Sequence, residues 1–431
     1  RITKDVHLSL PPSSTRDASG DGSFPLNISS ISSAIQSSKP SKSGNLPFSV
    51  PIWRFWCGDC ILESMSFHIA IDARVINSGT GTYVVKLLEQ LERLDTTNRY
   101  SILVPTKDRD YWQPHNPNFT IRTVDFANYS LAEQLGFRRY LDELGPDLVH
   151  FCMPQQPVFY RGKHVTTVHD MTLLKTYNSD KNWLVFHLKQ LVGRWVFRRI
   201  ARTSEHIITI SQTTKQEYQD FTKIPDSKIS VIYEAGEVHP GHLTPYIDLP
   251  FKRFIIYVGQ QPDYKNLRRL AAAHQQLLSR WPDLGLVFVG RMNEDTKRNQ
   301  AYYQQQGYRN IHFTGFIPDG QRDWLLNKAE AYVFPSLMEG FGLPPLETMA
   351  YGTTPVISSN TSCMPEILGD AAEYFDPLNV DAIASAIDRV LSQPARRREL
   401  IVKGKAQAAR YSWERCGKET LAVYEQALRQ V

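Results

Sequence analysis

The chain has 431 residues, of which 42% are hydrophobic and 22% are charged. This length is too great for one ordinary domain and predicts two domains with an additional tail. A net charge of +5 is too small to predict binding to nucleic acid, and no apolar run reaches the roughly 18 residues that a membrane-spanning helix needs.

The five cysteines are scattered and odd in number, which indicates free thiols in a reducing, cytoplasmic compartment. Cys57 and Cys60 form a Cys-x-x-Cys pair, but no second pair accompanies it to complete a zinc site. We therefore predict no metal site there. We see no Asp-x-Asp element placed to hold a metal ion elsewhere.

Residues 1–64 differ from the rest of the chain. About a quarter of residues 1–50 are serine, and no hydrophobic period is sustained, so we expect disorder. The first methionine, Met65, directly precedes an apolar strand, which favours a native start there and an upstream, non-native origin for residues 1–64. The alternative is a real tail whose aromatic cluster at 52–56 docks on a partner.

From Met65 onward, short apolar runs alternate with amphipathic helices, which is typical of parallel α/β units. Helices are predicted at 82–94 and 131–144. The predicted strands form two series: 67–71, 100–104, 147–151, 164–168 and 206–210, then 254–258, 284–289, 311–313, 331–334 and 354–357.

The two series predict two tandem, doubly wound Rossmann-like domains of the α/β class. The first spans residues 65–240 and the second residues 250–410. The stretch 234–252 is rich in Pro, Gly and His without any period, and it is predicted to be the connector. Residues 411–431 are predicted to form a terminal helix.

A glycine-rich loop follows the first strand. Gly79 and Gly81 stand where a helix is about to begin, so a diphosphate or an acceptor is expected to approach the backbone closely there. The alternative is a plain strand-to-helix turn capped by Thr80 or Thr82.

His169 directly follows the predicted strand 164–168. Open α/β sheets place ligand-contacting residues at the carboxyl ends of their strands, and this position therefore favours a functional side chain. The alternative is a structural histidine with satisfied hydrogen bonds. Asp170 is expected to orient His169 or to cap the next helix.

In the second series, Lys265 stands just before a helix, and its ammonium group is suited to neutralising a phosphate. The segment 333–357 then reads as strand, glycine loop, helix and strand. Two acids, Glu339 and Glu347, lie eight positions apart in it, on either side of a glycine loop that is followed by a helix start. Such a loop and the positive end of its helix can bind an anion, while Glu347 can accept hydrogen bonds from a vicinal diol and Glu339 is expected to point into the same cleft.

The spacing at 333–357, together with the other elements above, resembles the retaining glycosyltransferases of family 4, which have the GT-B fold. The resemblance runs from about Ile69 to the C-terminus. It implies an active site in the cleft between an acceptor-binding first domain and a donor-binding second domain. It also implies that the terminal helix returns to the first domain.

By this resemblance, Glu339 contacts the transferred sugar, Glu347 holds the ribose, His169 lies near the reacting centre and Lys265 stabilises the leaving diphosphate. The resemblance also implies retention through a front-side substitution, with neither a metal ion nor a bound cofactor. The catalytic residues are thus expected to be His169, Glu339 and Lys265. The donor-binding residues are expected to be Gly79, Gly81, Lys265, Arg291, Gly340, Phe341, Gly342, Leu343 and Glu347.

The resemblance favours GDP-mannose as donor and a hydroxyl of a glycan or lipid-linked molecule as acceptor. UDP-linked glucose or N-acetylglucosamine is the alternative donor. A GT-B sugar-nucleotide epimerase and a non-catalytic carbohydrate-binding relative are further alternatives. A Rossmann dehydrogenase is disfavoured because the loop at Gly79 and Gly81 lacks a third glycine.

The sequence departs from the family pattern at two places. Many relatives carry a second phosphate-binding arginine in the loop before Lys265, where the candidates here are Gln260 and Tyr264. Arg291, or backbone N–H groups of the 340–342 loop, are expected to compensate. The segment 233–236 reads Tyr-Glu-Ala-Gly where relatives usually have Pro-Asn-Gly, and the sequence does not explain this change.

Residues 181–202 combine aromatic side chains with six Lys or Arg and no acid in a helical stretch. One interpretation is peripheral contact with an anionic membrane, at the inner face of the cytoplasmic membrane. The alternative is an ordinary helix whose Leu184, Leu188, Leu191 and Trp195 pack on the sheet while its arginines are solvated.

Overall fold

A computed structural model describes residues 66–175, 183–238 and 241–429. The predictions for residues 1–64, including the pair Cys57 and Cys60 and the aromatic cluster at 52–56, lie outside the described residues.

The first sheet has seven parallel strands in the order β3-β2-β1-β4-β5-β6-β7. Its central strands are almost fully buried, because helices cover both faces of a parallel sheet. The strands are β1 (His68–Asp72), β2 (Arg99–Val104), β3 (Phe119–Thr123), β4 (Leu148–Phe151), β5 (His164–Val168), β6 (His206–Thr209) and β7 (Ile229–Val231).

Among the described residues, the α-helices that accompany this sheet are α1 (Gly81–Leu94), α2 (Arg138–Leu144), α3 (Thr172–Lys175), α4 (Trp183–Thr203) and α5 (Gln212–Thr222). Helix α1 buries one apolar face, which includes Tyr83, Leu87 and Leu91 at helical spacing. The helix predicted at 131–144 is not regular, because a π-helical segment (Glu133–Phe137) precedes α2.

The second sheet has six parallel strands in the order β10-β9-β8-β11-β12-β13. Its strands are β8 (Arg253–Val258), β9 (Leu284–Val289), β10 (Ile311–Gly315), β11 (Ala331–Phe334), β12 (Val356–Ser359) and β13 (Ala372–Phe375). Its helices are α6 (Leu267–Leu277), α7 (Glu294–Gln305), α8 (Asp319–Lys328), α9 (Leu343–Tyr351), α10 (Met364–Leu368), α11 (Val380–Ser392) and α12 (Pro394–Ala408).

Both sheets reverse their strand order at one point, between β1 and β4 in the first and between β8 and β11 in the second. The loops that leave these strands diverge to opposite faces, and the crevice between them is where open α/β sheets bind ligands. The predicted α/β architecture of two doubly wound domains is confirmed.

Helix α13 (Trp413–Arg429) lies on the first domain although it follows the second. Its Gly417 lies so close to α1 that an added Cβ would come 2.6 Å from Cβ of Gln90. The hydroxyl of Tyr424 lies 2.6 Å from Nδ1 of buried His150 on β4. The C-terminal helix thus joins the core of the first domain.

Three strands were not predicted from the sequence: β3, β7 and β13. Each of them lies at an edge of its sheet. Edge strands are short and need no continuous apolar run, so their pattern is weak. Strand β12 begins at Val356 rather than at residue 354, since Pro355 has no N–H for a ladder and the hydroxyl of Thr354 donates to the carbonyl of Leu326.

Candidate active site

Lys265 and Glu339 form an ion pair at the strand-order reversal of the second sheet. Nζ of Lys265 donates to Oε1 of Glu339 at 2.6 Å, and the two side chains are 16% and 12% exposed. Two of the three residues predicted to be catalytic are therefore in direct contact. A charged pair with this much shielding from water is favourable only when hydrogen bonds offset the lost hydration, and the 2.6 Å contact provides one such bond.

The position of Lys265 is set by a 3₁₀ turn, Asp263–Lys265, that ends at Asn266 in a left-handed conformation (φ 61°). The amide of Asn266 donates to the carbonyls of Pro335 and Pro377, which ties this turn to the end of β11. Burial opposes the charge on Lys265, but attraction to Glu339 and to nearby tyrosine hydroxyls outweighs it. The pKa of Lys265 is therefore raised above its ordinary value.

The backbone of Glu339 is held by the loop after β12. Its N–H donates to Oγ of Ser362 at 3.1 Å, and its carbonyl accepts from the Ser362 hydroxyl at 2.7 Å and from the Cys363 thiol at 3.2 Å. Ser362 takes a left-handed conformation (φ 57°) to make these contacts. The carboxylate of Glu339 is thus aimed by backbone contacts as well as by Lys265.

The glycine loop after Glu339 touches the first domain. A Cβ at Gly340 would lie 2.1 Å from the carbonyl oxygen of His169, so only glycine fits there. Gly342 has φ 93° and precedes Leu343, the first residue of α9. Phe341 is buried, with its ring packed against Tyr233 and Tyr411.

Glu347 lies in the second turn of α9 and is half-buried. Gly236 from the connector passes directly over this turn, since a Cβ there would come 2.7 Å from the backbone nitrogen of Glu347. Glu347 and Glu339 therefore lie on the same glycine loop and helix start, at the domain boundary.

His169 lies at the carboxyl end of β5, and its side chain is 13% exposed. Its Nε2–H donates to the carbonyl of Cys152 at 2.9 Å, and its Nδ1 lies 3.4 Å from Oε1 of Glu234. The expected partner, Asp170, does not orient His169 but accepts from the N–H of Thr172 at the start of α3. Of the two roles expected for Asp170, the structure therefore favours the cap.

Gly79 and Gly81 differ in their surroundings. A Cβ at Gly81 would lie 1.9 Å from the carbonyl oxygen of Ile76, whereas a Cβ at Gly79 would meet no atom within 4 Å. Thr80 makes no side-chain cap, so the alternative of a Thr80-capped turn is wrong. The loop that holds both glycines follows β1, the strand that borders the reversal point of the first sheet.

Arg291 lies at the carboxyl end of β9 and is exposed. Its guanidinium lies 5.6 Å above the ring of Phe316, rather than with Lys265 and Glu339. Gln260 is exposed, and the ring of Tyr264 lies 5.2 Å from Nζ of Lys265. The structure thus places Arg291 on the same edge of the sheet without joining it to the ion pair.

Comparison with known proteins identifies the family. The profile described as Glycosyltransferase Family 4 matches residues 77–235, and the profile described as Glycosyl transferases group 1 matches residues 250–407. O-antigen chain mannosyltransferase B of Escherichia coli is 30% identical over 276 residues, which are 61% of this chain and 70% of that protein. The chain belongs to the family 4, group 1 glycosyltransferases.

Other relatives of this glycosyltransferase agree. O-antigen chain mannosyltransferase RfbU of Salmonella typhimurium is 24% identical over 359 residues, covering 79% of this chain and 95% of RfbU. Serotype-specific mannosyltransferase WbdA of Escherichia coli is 30% identical over 271 residues, but the matched part is only 32% of that longer protein.

Solved structures show the same GT-B fold at low identity. Sucrose-phosphate synthase from Thermosynechococcus elongatus superposes with a TM-score of 0.67 at 19% identity, covering 84% of this chain and 98% of that one. Anabaena HepE, solved with UDP and glucose, superposes with a TM-score of 0.65 at 13% identity, covering 84% of this chain and all of HepE.

Two acids at the domain boundary were not predicted to have a function in this glycosyltransferase. Glu234 meets His169, and Glu366 on α10 accepts from the backbone of Gln212 and Thr213 at the start of α5. The departure of residues 233–236 from the family pattern pointed to Glu234, whereas no sequence feature near Glu366 pointed to a function. Within residues 66–175, 183–238 and 241–429, no group of three His, Cys, Asp or Glu side chains is placed to hold a metal ion.

Proposed function

We propose that the chain is a retaining mannosyltransferase that moves mannose from GDP-mannose to a hydroxyl of a glycan or lipid-linked acceptor. The sugar is suggested by the relatives, several of which are mannosyltransferases by name. The main support for this reaction is the Lys265–Glu339 ion pair in the crevice of the second sheet. In this proposal, Lys265 provides a cation for the diphosphate and Glu339 accepts hydrogen bonds from the sugar.

In this proposal, Lys265 balances the charge that grows on the leaving diphosphate. The ammonium is already fixed by Glu339, so little reorganisation accompanies the reaction. The glycine loop and the start of α9 contribute backbone N–H groups and the positive end of the helix. Glu347 accepts from the ribose hydroxyls, and Glu339 accepts from the transferred sugar.

Retention follows if the acceptor hydroxyl attacks from the face that the phosphate leaves. The departing phosphate oxygen takes the proton of that hydroxyl, the bond from C1 to the diphosphate breaks, and the new glycosidic bond forms on the same face. Glu339 is committed to Lys265, which favours a positioning role over nucleophilic attack. In this proposal Lys265 supplies the positive charge that a metal ion would otherwise supply.

A thermal-shift panel with GDP-mannose, UDP-glucose, UDP-N-acetylglucosamine, ADP-glucose and dTDP-glucose tests the donor. A ligand at about 100 times its dissociation constant adds about 2.7 kcal/mol of stability, so the true donor raises the melting temperature clearly. We expect GDP-mannose to do so, and the nucleotide to be released on incubation with acceptor. The anomeric proton of the product, read by NMR, then reports retention or inversion.

The other outcomes of the panel identify the alternatives. A shift with a UDP-sugar alone replaces the mannosyl proposal by a glucosyl or N-acetylglucosaminyl one. Interconversion of the free sugar nucleotide without acceptor indicates an epimerase. Binding with neither release nor interconversion indicates a carbohydrate-binding relative. Equal activity with and without EDTA supports the metal-independent mechanism.

A lipid-linked acceptor is supported by the surface of α4. None of the described helices combines the length and the hydropathy needed to cross a bilayer. However, Leu191 is 65% exposed and Trp195 is 48% exposed, so the interpretation that both pack on the sheet is wrong. Phe197 and Ile200 are buried there instead. The side chains of Leu184 and Leu188, and all of Lys181, lie outside the described residues.

We propose that this exposed face of α4 rests on an anionic membrane. The ring of Trp195 packs on the half-exposed Phe159, and the neighbouring Arg194 is exposed. Arg198 is exposed as well, with its guanidinium 4.6 Å over the ring of Phe221. Aromatic rings at headgroup level and cations near anionic lipid both favour such contact, and each cation contributes about 1 kcal/mol. Arg199 lies next to Phe159 but is only partly exposed, and its Nε donates to the carbonyl of Val158.

Liposome sedimentation tests the membrane contact. We expect binding to vesicles with phosphatidylglycerol, weaker binding at high salt, and loss of binding in Trp195→Ser with Arg194→Gln. Lys297→Gln, a change to an exposed cation on α7, is the matched control and is expected to bind as the unmodified protein does. Equal recovery in the supernatant with anionic and neutral vesicles overturns the contact.

A further inference from the structure

The connector between the two domains carries a buried acid, Glu234, to the ring of His169. The Glu234 side chain is 4% exposed, and its Oε1 lies 3.4 Å from Nδ1 of His169. The two residues are 65 positions apart in the chain, and they meet because the connector, after leaving the edge strand β7, passes the carboxyl end of β5. A carboxylate removed from water is expensive unless a cation or hydrogen bonds accompany it, so this pairing calls for an explanation.

The hydrogen bond made by the other ring nitrogen of His169, Nε2, determines how many protons His169 and Glu234 hold together. Nε2 lies 2.9 Å from the carbonyl oxygen of Cys152, which can only accept, so Nε2 carries a hydrogen. A neutral ring would then present the bare lone pair of Nδ1 to a carboxylate. The arrangement is favourable only with a second proton between Nδ1 and Glu234, and that proton belongs on the ring because imidazole is a stronger base than a carboxylate.

The ring is also held from its side. The ring of Tyr83 meets it edge-on, with centroids 4.8 Å apart and an interplanar angle of 82°, and the Tyr83 hydroxyl is fixed by Thr167 at 2.9 Å. The backbone carbonyl of His169 accepts from the hydroxyl of Thr214 and lies against Gly340 of the donor loop. The position of His169 is thus coupled to the loop that begins at Glu339.

We propose that Glu234 is a positioning residue that holds His169 as a doubly protonated imidazolium at the edge of the donor cleft. This inference rests on the proposed function. It assigns His169 a fixed positive charge beside the diphosphate-binding loop and denies it a role as general base, since neither ring nitrogen keeps a free lone pair. It also gives a role to the segment 233–236, which the sequence left unexplained.

NMR of the imidazole nitrogens tests the pair without any need for activity. In protein labelled with ¹⁵N-histidine at pH 7, with the His169 signals assigned by their loss in His169→Gln, we expect both nitrogens to carry protons. Glu234→Gln is expected to leave one nitrogen unprotonated. Glu237→Gln is the matched control, because Glu237 lies on the same connector but pairs with Lys86 at 2.7 Å, and it is expected to change nothing.

Turnover tests the positioning role, with hydrolysis of GDP-mannose as the assay so that no acceptor has to be known. Partners that orient a functional histidine are worth roughly ten- to a hundredfold in activity, and we expect Glu234→Gln to lower kcat by that factor while KM changes less than about twofold. Glu234→Asp, which keeps the charge, is expected to restore part of kcat.

The NMR spectra and the turnover assay distinguish failure of the positioning role from failure of the proposed function. If GDP-mannose neither raises the melting temperature of the unmodified protein nor is hydrolysed by it, the proposed donor is wrong, while the nitrogen spectra still decide the pair. If one nitrogen of His169 is unprotonated in the unmodified protein, or if Glu234→Gln leaves both the spectra and kcat unchanged, the positioning role is overturned. A fall in kcat with equal loss of thermal stability, and no rescue by Glu234→Asp, assigns Glu234 to folding alone and also overturns it.

Discussion

At the scale of single residues, the ion pair of Lys265 and Glu339 determines how substitutions should be chosen. Removing one partner of a shielded pair leaves an unpaired charge that can cost about 3 to 5 kcal/mol, so truncation would confound catalysis with stability. Glutamine also removes the counter-charge of Lys265, but it keeps the size and part of the hydrogen bonding of Glu339, so it disturbs the pair less than truncation does.

We predict that Glu339→Gln and Glu347→Gln fail in different ways. A hydrogen bond to a charged group is worth about 1.5 to 3 kcal/mol, or roughly ten- to a hundredfold. Glu347 is expected to hold the ribose equally in ground and transition states, so its loss should raise the donor KM. Glu339 lies beside Lys265, so its loss should lower kcat. Steady-state kinetics with the donor found by thermal shift measures both, and unchanged kinetics in both variants would reject the donor site.

At the scale of elements, the loop before α1 contains a matched pair of glycines. Gly81→Ala would force a Cβ to 1.9 Å from the backbone of Ile76, and a backbone neighbour cannot rotate away. Overpacking of this kind costs about 1 to 3 kcal/mol, so we predict a lower melting temperature and a displaced loop.

Gly79→Ala is the control for this prediction, because nothing lies within 4 Å of its Cβ position. The Gly79→Ala variant should have the same melting temperature as the unmodified protein. Differential scanning calorimetry of both variants decides the matter, and equal melting temperatures for Gly81→Ala and the unmodified protein would contradict the turn geometry.

Helix α5 is capped from both domains. Its own Ser211 accepts from the N–H of Thr214 at 3.1 Å, while Glu366 of α10 accepts from the N–H groups of Gln212 at 2.6 Å and Thr213 at 2.9 Å. The hydroxyl of Tyr233 also donates to Glu366 at 3.0 Å. A carboxylate at a helix N-terminus is favourable, and here it also holds the two domains together.

We predict that Glu366→Gln lowers the free energy of unfolding by about 0.5 to 2 kcal/mol, the range for loss of a helix cap. It should also increase the radius of gyration of the donor-free protein, because an interdomain contact is weakened. Thermal unfolding and small-angle X-ray scattering measure the two effects. Glu294→Gln, an exposed acid on α7, is the control, and an unchanged radius in Glu366→Gln would contradict the interdomain role.

At the scale of the whole molecule, buried histidines tie the stability of the fold to pH. Burial lowers the pKa of His150 to about 3 from its ordinary value of 6.5, while Tyr424 and Thr167 occupy its two nitrogens. Burial likewise lowers the pKa of His206 to about 4 and that of His274 to about 4. Each of these histidines is therefore neutral in the folded protein at neutral pH.

We predict that stability falls as the pH drops from about 6.5 toward 3. In that window the unfolded chain binds a proton at His150 that the folded chain does not, so acid favours unfolding. One pKa unit corresponds to about 1.4 kcal/mol, so His150 alone contributes about 2 to 3 kcal/mol of loss by pH 4.5. Urea unfolding from pH 7 to 4.5 measures the slope. His150→Asn should flatten it, and an unchanged slope would exclude His150 as a source.

Much of the fold could be predicted because its central strands are continuous apolar runs. Ile69, Ile255 and Val333 lie in strands buried on both faces, and local sequence alone identifies such strands. The edge strands β3, β7 and β13 have only one neighbour each, so their sequences are less apolar and were missed. The position of His169 at a strand end, those of Lys265 and Glu339 in loops between strand and helix, and that of Glu347 near a helix start also followed from local pattern.

The sequence by itself therefore determined the two α/β domains, their family and the loops and helix start where the candidate site residues lie. Only the tertiary structure decided which side chains meet: Glu339 with Lys265, His169 with Glu234 instead of Asp170, and Glu366 with the start of α5. The physical reason is distance along the chain. The burial of a segment and the spacing of its hydrophobic residues can be recognised from that segment alone. Contacts between residues 65 to 154 positions apart depend instead on how the two sheets and the connector bring their loops together at the cleft.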